Sequence, residues 1–195
     1  MRKLIALSLS MFLGGLAGCV NVEIVEIERI RIINDLTIEV NLDAQPILIL
    51  EGSKVANKPK GTGWVKVERR GEDLFVADKK VDLYVSERQK YGEWLYGYEL
   101  RSEIERKSTL HPNVMDALWE HSHLVSDKYR KGQKGGIRYI VFWDVIFSYA
   151  NFAYIKNVNS YYVRYFYWKD GVCHRDYLWH NDIVDGTRFA AVLAD

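Results

Sequence analysis

The sequence predicts an α+β fold, a mostly antiparallel β-sheet with one main helix packed on it. Three observations carry this. Leu36, Ile38, Val40 and Leu42 alternate strictly with Thr37, Glu39, Asn41 and Asp43, the pattern of a half-buried strand. Asp170-Gly171 separates two long aromatic runs, the strongest two-residue hairpin signal in the chain. In residues 112–130, Val114, Met115, Leu118, Trp119, Ser122 and Val125 recur at helical spacing.

Taken in order, residues 22–33 (VEIVEIERIRII) are rich in Val and Ile, and β-branching favours a strand. The alternating strand at 36–43 follows, then a short apolar strand at 46–50 (PILIL). Residues 51–63 carry Gly, Pro and Lys and read as a loop. Residues 64–70 (WVKVERR), a Gly71-Glu72-Asp73 turn and residues 74–79 form a hairpin. Residues 81–87 alternate again, and the aromatic stretch 91–100 (YGEWLYGYEL) is read as a strand. Pro112 suits the first turn of the helix, His111 or Asn113 lies at its cap, and Gly132, Gly135 and Gly136 close the region. Residues 137–147 (IRYIVFWDVIF) are apolar on both faces, as a central strand requires. Residues 160–168 and 172–180 complete the aromatic hairpin.

The first twenty residues are of another kind. Arg2 and Lys3 precede an apolar run, Leu4 to Leu13, with no acidic residue before Glu23. A basic start, an apolar core of about ten residues and a small-residue exit is the layout of a secretory signal peptide. A retained membrane helix needs about twenty apolar residues, and Ser8, Ser10, Gly14, Gly15 and Gly18 interrupt this one. Leu16-Ala17-Gly18-Cys19 resembles the lipobox of bacterial lipoproteins. The resemblance covers about a tenth of the chain. It implies cleavage before Cys19, diacylglyceryl transfer to the Cys19 thiol, and acylation of the new amino group. Two or more acyl chains anchor a protein stably where one does not. The resemblance therefore implies a lipid-anchored protein of the cell envelope whose partner is the membrane itself. Val20, rather than Asp, follows the cysteine, which in a Gram-negative host points to the periplasmic face of the outer membrane. The expected organisation is a signal peptide at 1–18, a lipidated N-terminus with a first strand at 19–34, and a single α+β domain at 35–195.

Removing residues 1–18 leaves 25 of the 27 basic residues against 26 acidic ones. A nearly neutral chain argues against a nucleic-acid partner, which calls for a basic surface. With Cys19 acylated, Cys173 has no partner for an intrachain disulfide and reads as a buried, inert thiol.

Residues 139–179 hold 15 of the 26 aromatic residues. With Asp170-Gly171 as the turn, Lys169 lies opposite Val172, and alternation sorts the hairpin into two faces. One carries Tyr161, Val163, Tyr165 and Tyr167 opposite His180, Leu178, Asp176 and His174. The other carries Tyr162, Arg164, Phe166 and Trp168 opposite Trp179, Tyr177, Arg175 and Cys173. The second face sets arginines opposite rings twice, which suggests cation–π contacts, and one reading leaves it solvent-facing with arginine stems covering its rings; which face is core stays open. The first reads either as a core face whose tyrosine hydroxyls and histidines hydrogen-bond one another or as the candidate ligand or partner surface: Tyr161, Tyr165, Tyr167, His174, Asp176 and His180. A metal held by His174, Asp176 and His180 is the sharper alternative, but no spacing matches a strong metal signature.

Other constellations carry less. His121 and His123 do not share a helix face. Cys173 and His174 point to opposite sides of a strand, so one cannot activate the other. The cluster Lys128, Arg130, Lys131, Lys134 and Arg138 reads as a solvated helix end. No catalytic set, nucleophile elbow or phosphate loop is present, so no catalytic residue and no cofactor is assigned. Two expectations follow. The first is a non-enzymatic binding or interaction protein of the envelope with a protein partner, an immunity lipoprotein being one instance. The second is an envelope hydrolase or metal-dependent enzyme using the His/Asp face.

Overall fold

The computed structural model describes residues 28–57, 60–132, 136–150 and 159–194. The expected signal peptide at 1–18, Cys19 and Val20 lie outside the described residues, as does the first half (22–27) of the 22–33 stretch.

In chain order the elements are β1 (Ile30–Asn34), β2 (Thr37–Asn41), β3 (Lys54–Val55), β4 (Trp64–Arg70), β5 (Asp73–Val76), β6 (Lys79–Tyr84), α1 (Glu87–Lys90), β7 (Leu95–Tyr96) and α2 (Gly97–Ile104). They continue with α3 (Pro112–Glu120), α4 (Asp127–Arg130), β8 (Tyr139–Ala150), β9 (Asn159–Lys169), β10 (Val172–Trp179), β11 (Ile183–Val184) and β12 (Arg188–Leu193). Among the described residues the main sheet has ten strands in the order β1-β2-β4-β5-β6-β12-β8-β9-β10, with β3 added beside the far end of β8. Every pairing is antiparallel except β12 with β8. The fold is therefore α+β around a mixed, mostly antiparallel sheet.

The sheet curls around α3. Residues of β2, β4, β5, β6, β8, β9 and β12 meet Val114, Met115 and Leu118 in one hydrophobic cluster. Every residue of α3 from Pro112 to Leu118 is buried. A helix enclosed this way must satisfy its own polar side chains. Asn113 donates to the carbonyls of Asn41 (2.8 Å) and Ala44 (2.7 Å). Asp116 accepts from Arg164. Pro112 stands at the first helical position and the His111 Nδ1 accepts from the Asn113 N–H, as the cap reading expects. On the opposite side of the sheet, Leu100 and Ile104 of α2 pack on Val141, Trp143, Val163, Leu178 and Ala190.

The hairpin register is the one the Asp-Gly turn predicts, with Val172 facing Lys169 and Trp179 facing Tyr162. Asp170 (φ 52°) and Gly171 (φ 78°) both take the left-handed backbone that such a two-residue turn requires.

Four expectations change. Residues 46–50 form no strand; Pro46 opens a loop whose Ile47 N–H donates to Asp116 and whose Leu48 and Leu50 cover Phe147 and Tyr162. The stretch 91–100 is strand only at Leu95–Tyr96, because Glu99 reaches back to the Tyr96 N–H (2.7 Å) and starts α2. The helix expected at 112–130 stops at Glu120; a 3₁₀ turn (Ser122–Leu124) and the short α4 follow, with buried Leu124 and Val125 as anchors between them. The second hairpin face is not solvent-facing. Tyr162, Arg164 and Phe166 are buried against the α3 side, since Asp116 supplies the counter-charge that lets Arg164 go inside.

Candidate functional site

The first hairpin face is open over part of its length. Tyr139 of β8 is the Cα partner of Tyr167, which sets both rings on one side of the sheet. Tyr139 meets Tyr165 edge-on at 5.5 Å and Tyr167 at 5.2 Å, and Tyr167 stacks on His174 at 5.1 Å. The Arg188 guanidinium lies over the Tyr139 ring at 5.2 Å. The Tyr165 hydroxyl donates to Asp176 at 3.4 Å, and burial together with that carboxylate pushes its pKa up to about 12. The four rings are partly exposed and Asp176 is exposed, so the result is a platform of tyrosines with a cation and a carboxylate at its rim.

The six residues chosen from sequence divide. Tyr165, Tyr167, His174 and Asp176 belong to this platform. Tyr161 and His180 lie beyond it, past the buried pair Val163 and Leu178. Tyr161 is exposed, while His180 sits 6.1 Å from the Trp143 ring and 6.4 Å from the Tyr98 ring. Its Nε2 is buried without a partner among the described residues, and burial, with Arg101 nearby, lowers its pKa. His174, Asp176 and His180 therefore do not converge. Among the described residues, no group of three or more His, Cys, Asp or Glu side chains is placed to hold a metal.

Tyr139 and Arg188 were missed in the sequence because they arrive from β8 and β12. The parity of β8 against β9 would have identified Tyr139; nothing local marks Arg188.

A second feature has no counterpart in the sequence reading. Between Phe142 and Phe147, β8 advances five residues while β9 advances two, from Arg164 to Tyr162. The three extra residues form a large bulge and reverse which parity faces α3, so Phe147 stacks on Tyr162 (5.2 Å). Asn57 spans the bulge. Its amide donates to the Asp144 carbonyl (2.8 Å) and its side-chain oxygen accepts from the Ile146 N–H (2.6 Å). The bulge turns Asp144 into a cleft of about 190 Å³ lined also by Trp143, Thr109, Arg101 and Ser102 of α2, and Glu105 at the α2 C-cap. Asp144 is only 4% exposed; its carboxylate accepts from the Lys60 N–H (3.0 Å) and the Thr109 hydroxyl (3.4 Å). Burial raises its pKa.

The remaining candidates are structural. Cys173 is a free thiol packed beside the α3 cluster, and burial raises its pKa to about 11, so it stays protonated at neutral pH. The basic cluster is consumed locally: Lys128 pairs with Asp73, Lys131 with Asp127 (2.6 Å), and Arg130 and Arg138 lie over the Trp168 and Phe189 rings. Lys134 lies outside the described residues. His123 Nε2 bonds the Asp35 carbonyl (2.9 Å). No family model, curated protein or solved structure matches the chain.

Proposed function

We propose that this is a lipid-anchored envelope protein whose domain acts as a binding module, with the Tyr139–Tyr165–Tyr167–His174 platform as its contact surface. The observation that carries the reading is the platform itself. Four rings lie on three adjacent strands, locked by cross-strand pairing and edge contacts, with Arg188 and Asp176 at the rim. Tyrosines held this way present large contact area and lose little side-chain entropy on binding, which is why they concentrate at interfaces. The anchor rests on Leu16-Ala17-Gly18-Cys19.

Site-specific photocrosslinking in cells tests the module. A photoreactive phenylalanine analogue at Tyr167 is expected to give a discrete crosslinked species that the same analogue at exposed Glu51 does not. Equal crosslinking at both positions, or none at Tyr167, rejects the platform. Separately, Cys19→Ala is expected to abolish palmitate labelling, and continued labelling rejects the anchor.

A further inference from the structure

We infer that the cleft between α2 and the β8 bulge is a binding site for a small zwitterion, a ligand of amino-acid size carrying one ammonium and one carboxylate group. The inference is independent of the platform and of the anchor.

Three observations support it. The first is charge. Arg101 of α2 lines the cleft together with two carboxyl-bearing residues, Glu105 at the C-cap of α2 and Asp144 from the bulge. Arg101 makes no ion pair or side-chain hydrogen bond with a described residue, although it is partly buried and desolvation lowers its pKa. A guanidinium in that position is available for a carboxylate, which it can hold through two parallel N–H bonds.

The second is an orphaned donor. Trp143 lines the same cleft, is 2% exposed, and has its indole Nε1 buried without an acceptor among the described residues. Buried indole N–H groups normally find a partner. The N–H itself has essentially no accessible surface, so a ligand oxygen would reach it only with a shift of the Trp143 ring.

The third is preorganisation. Asp144 is positioned by the Lys60 N–H and the Thr109 hydroxyl, and Asn57 clamps the backbone at the Asp144 carbonyl and the Ile146 N–H. Two bonds leave a carboxylate with acceptor capacity unused, so an ammonium group can still be received. Gly97 keeps α2 close: a Cβ there would lie 3.0 Å from the His180 carbonyl and 3.1 Å from the Trp143 ring. At about 190 Å³ the cleft is smaller than the roughly 300–1,000 Å³ typical of drug-sized ligands, which limits the occupant to a small molecule.

Calorimetric titration of the detergent-solubilised full-length protein tests this. The panel is glycine, L-alanine, L-serine, β-alanine and γ-aminobutyrate, with sodium acetate and methylammonium chloride as single-charge controls. At least one zwitterion is expected to bind with Kd below about 1 mM, at least about tenfold more tightly than either control. Arg101→Gln, which leaves the packed side of α2 intact, is expected to weaken that binding at least about tenfold with an unchanged circular dichroism spectrum and thermal midpoint. Glu105→Gln, at the α2 C-cap, serves as the ammonium-side variant and is expected to weaken the zwitterion without affecting acetate. The inference is overturned if no zwitterion binds, if acetate or methylammonium binds as tightly as the best zwitterion, or if folded Arg101→Gln keeps full affinity.

Discussion

Asp116 is a single carboxylate that serves three guanidinium groups from different parts of the chain. Arg164 pairs with it at 2.9 Å, Arg29 approaches to 3.4 Å and Arg175 to 3.9 Å. Arg164 is 1% exposed; its two Nη groups also reach the carbonyls of Ile47 (2.6 Å) and Pro112 (3.1 Å), its Nε has no partner among the described residues, and its guanidinium covers the Phe147 ring at 4.8 Å. Removing the carboxylate leaves a buried cation uncompensated, and such changes cost about 3–5 kcal/mol. Asp116→Ala is therefore expected to lower the urea-derived unfolding free energy by that amount, while Asp127→Ala, which breaks only an exposed pair with Lys131, should cost less than about 1 kcal/mol. His111 lies close to this group. Burial first, then the positive Arg164, depresses its pKa to about 4 from 6.5, with Asp43 opposing. The unfolded chain therefore takes up the proton before the folded one does. The contribution of His111 is fully present above pH 6.5 and is lost as pH falls through about 4. His111→Asn keeps a side-chain acceptor for the Asn113 N–H and removes the titration. Its urea midpoint should fall less than the wild type's between pH 7 and pH 4.5, whereas parallel pH profiles would assign the acid sensitivity to other groups.

At the scale of the element, the β8 bulge shows how one side chain can stand in for a strand. The edge of β8 beside residues 142–146 lies between β12, which pairs at 139–141, and β3, which pairs at 147–148. Asn57, just past β3, fills the interval by bonding the Asp144 carbonyl and the Ile146 N–H. Asn57→Ala leaves both backbone groups unsatisfied, at about 1–3 kcal/mol each where water cannot replace them. It is expected to destabilise the protein by about 2–4 kcal/mol and to speed amide hydrogen exchange at Ile146 more than at Val141; equal exchange at both would mean that the clamp is not local. None of this was legible in the sequence. A bulge leaves residue types unchanged and alters only their side of the sheet, and Asn57 lies within a stretch rich in turn formers. The β9–β10 hairpin was legible to the residue because Asp170-Gly171 admits essentially one turn geometry and alternation then fixes every pair. Which side of it faced the core was not, because both faces carry aromatic and charged groups, and the decision rests on Asp116 more than forty residues away. The start of α1 was readable in principle. Ser86 and Gln89 form a capping box, with the Gln89 oxygen accepting from the Ser86 N–H at 2.8 Å, although the alternation of 81–87 favoured a strand through that point.

At the scale of the molecule, the sheet is two halves joined by one strand. β1, β2, β4, β5 and β6 lie on one side and β8, β9 and β10 on the other, and β12 is hydrogen-bonded to both β6 and β8. Its sequence, RFAAVL, gives little indication of this role. Two alanines have weak strand preference, and a strand buried on both faces shows no alternation. Small side chains are what the position requires. Ala191 faces the α3 cluster and Ala190 the α2 cluster, both fully buried, so each methyl group is enclosed by an apolar cluster. The platform tyrosines and the Asp144 cleft both depend on β8, and β8 is held to the rest of the sheet through β12. Ala191→Asp would place an unpaired carboxylate among Leu83, Leu110, Leu118, Val125, Ile140, Phe142 and Phe166. Burying a charge without a partner costs several kcal/mol, comparable with the whole stability of a domain this size. Loss of the cooperative thermal transition is therefore expected, together with loss of crosslinking at Tyr167. Ala191→Ser, smaller in its demand, should retain a single cooperative transition with a lowered midpoint. An Ala191→Asp protein that still melted cooperatively near the wild-type midpoint would show that the two halves of the sheet are held together without β12.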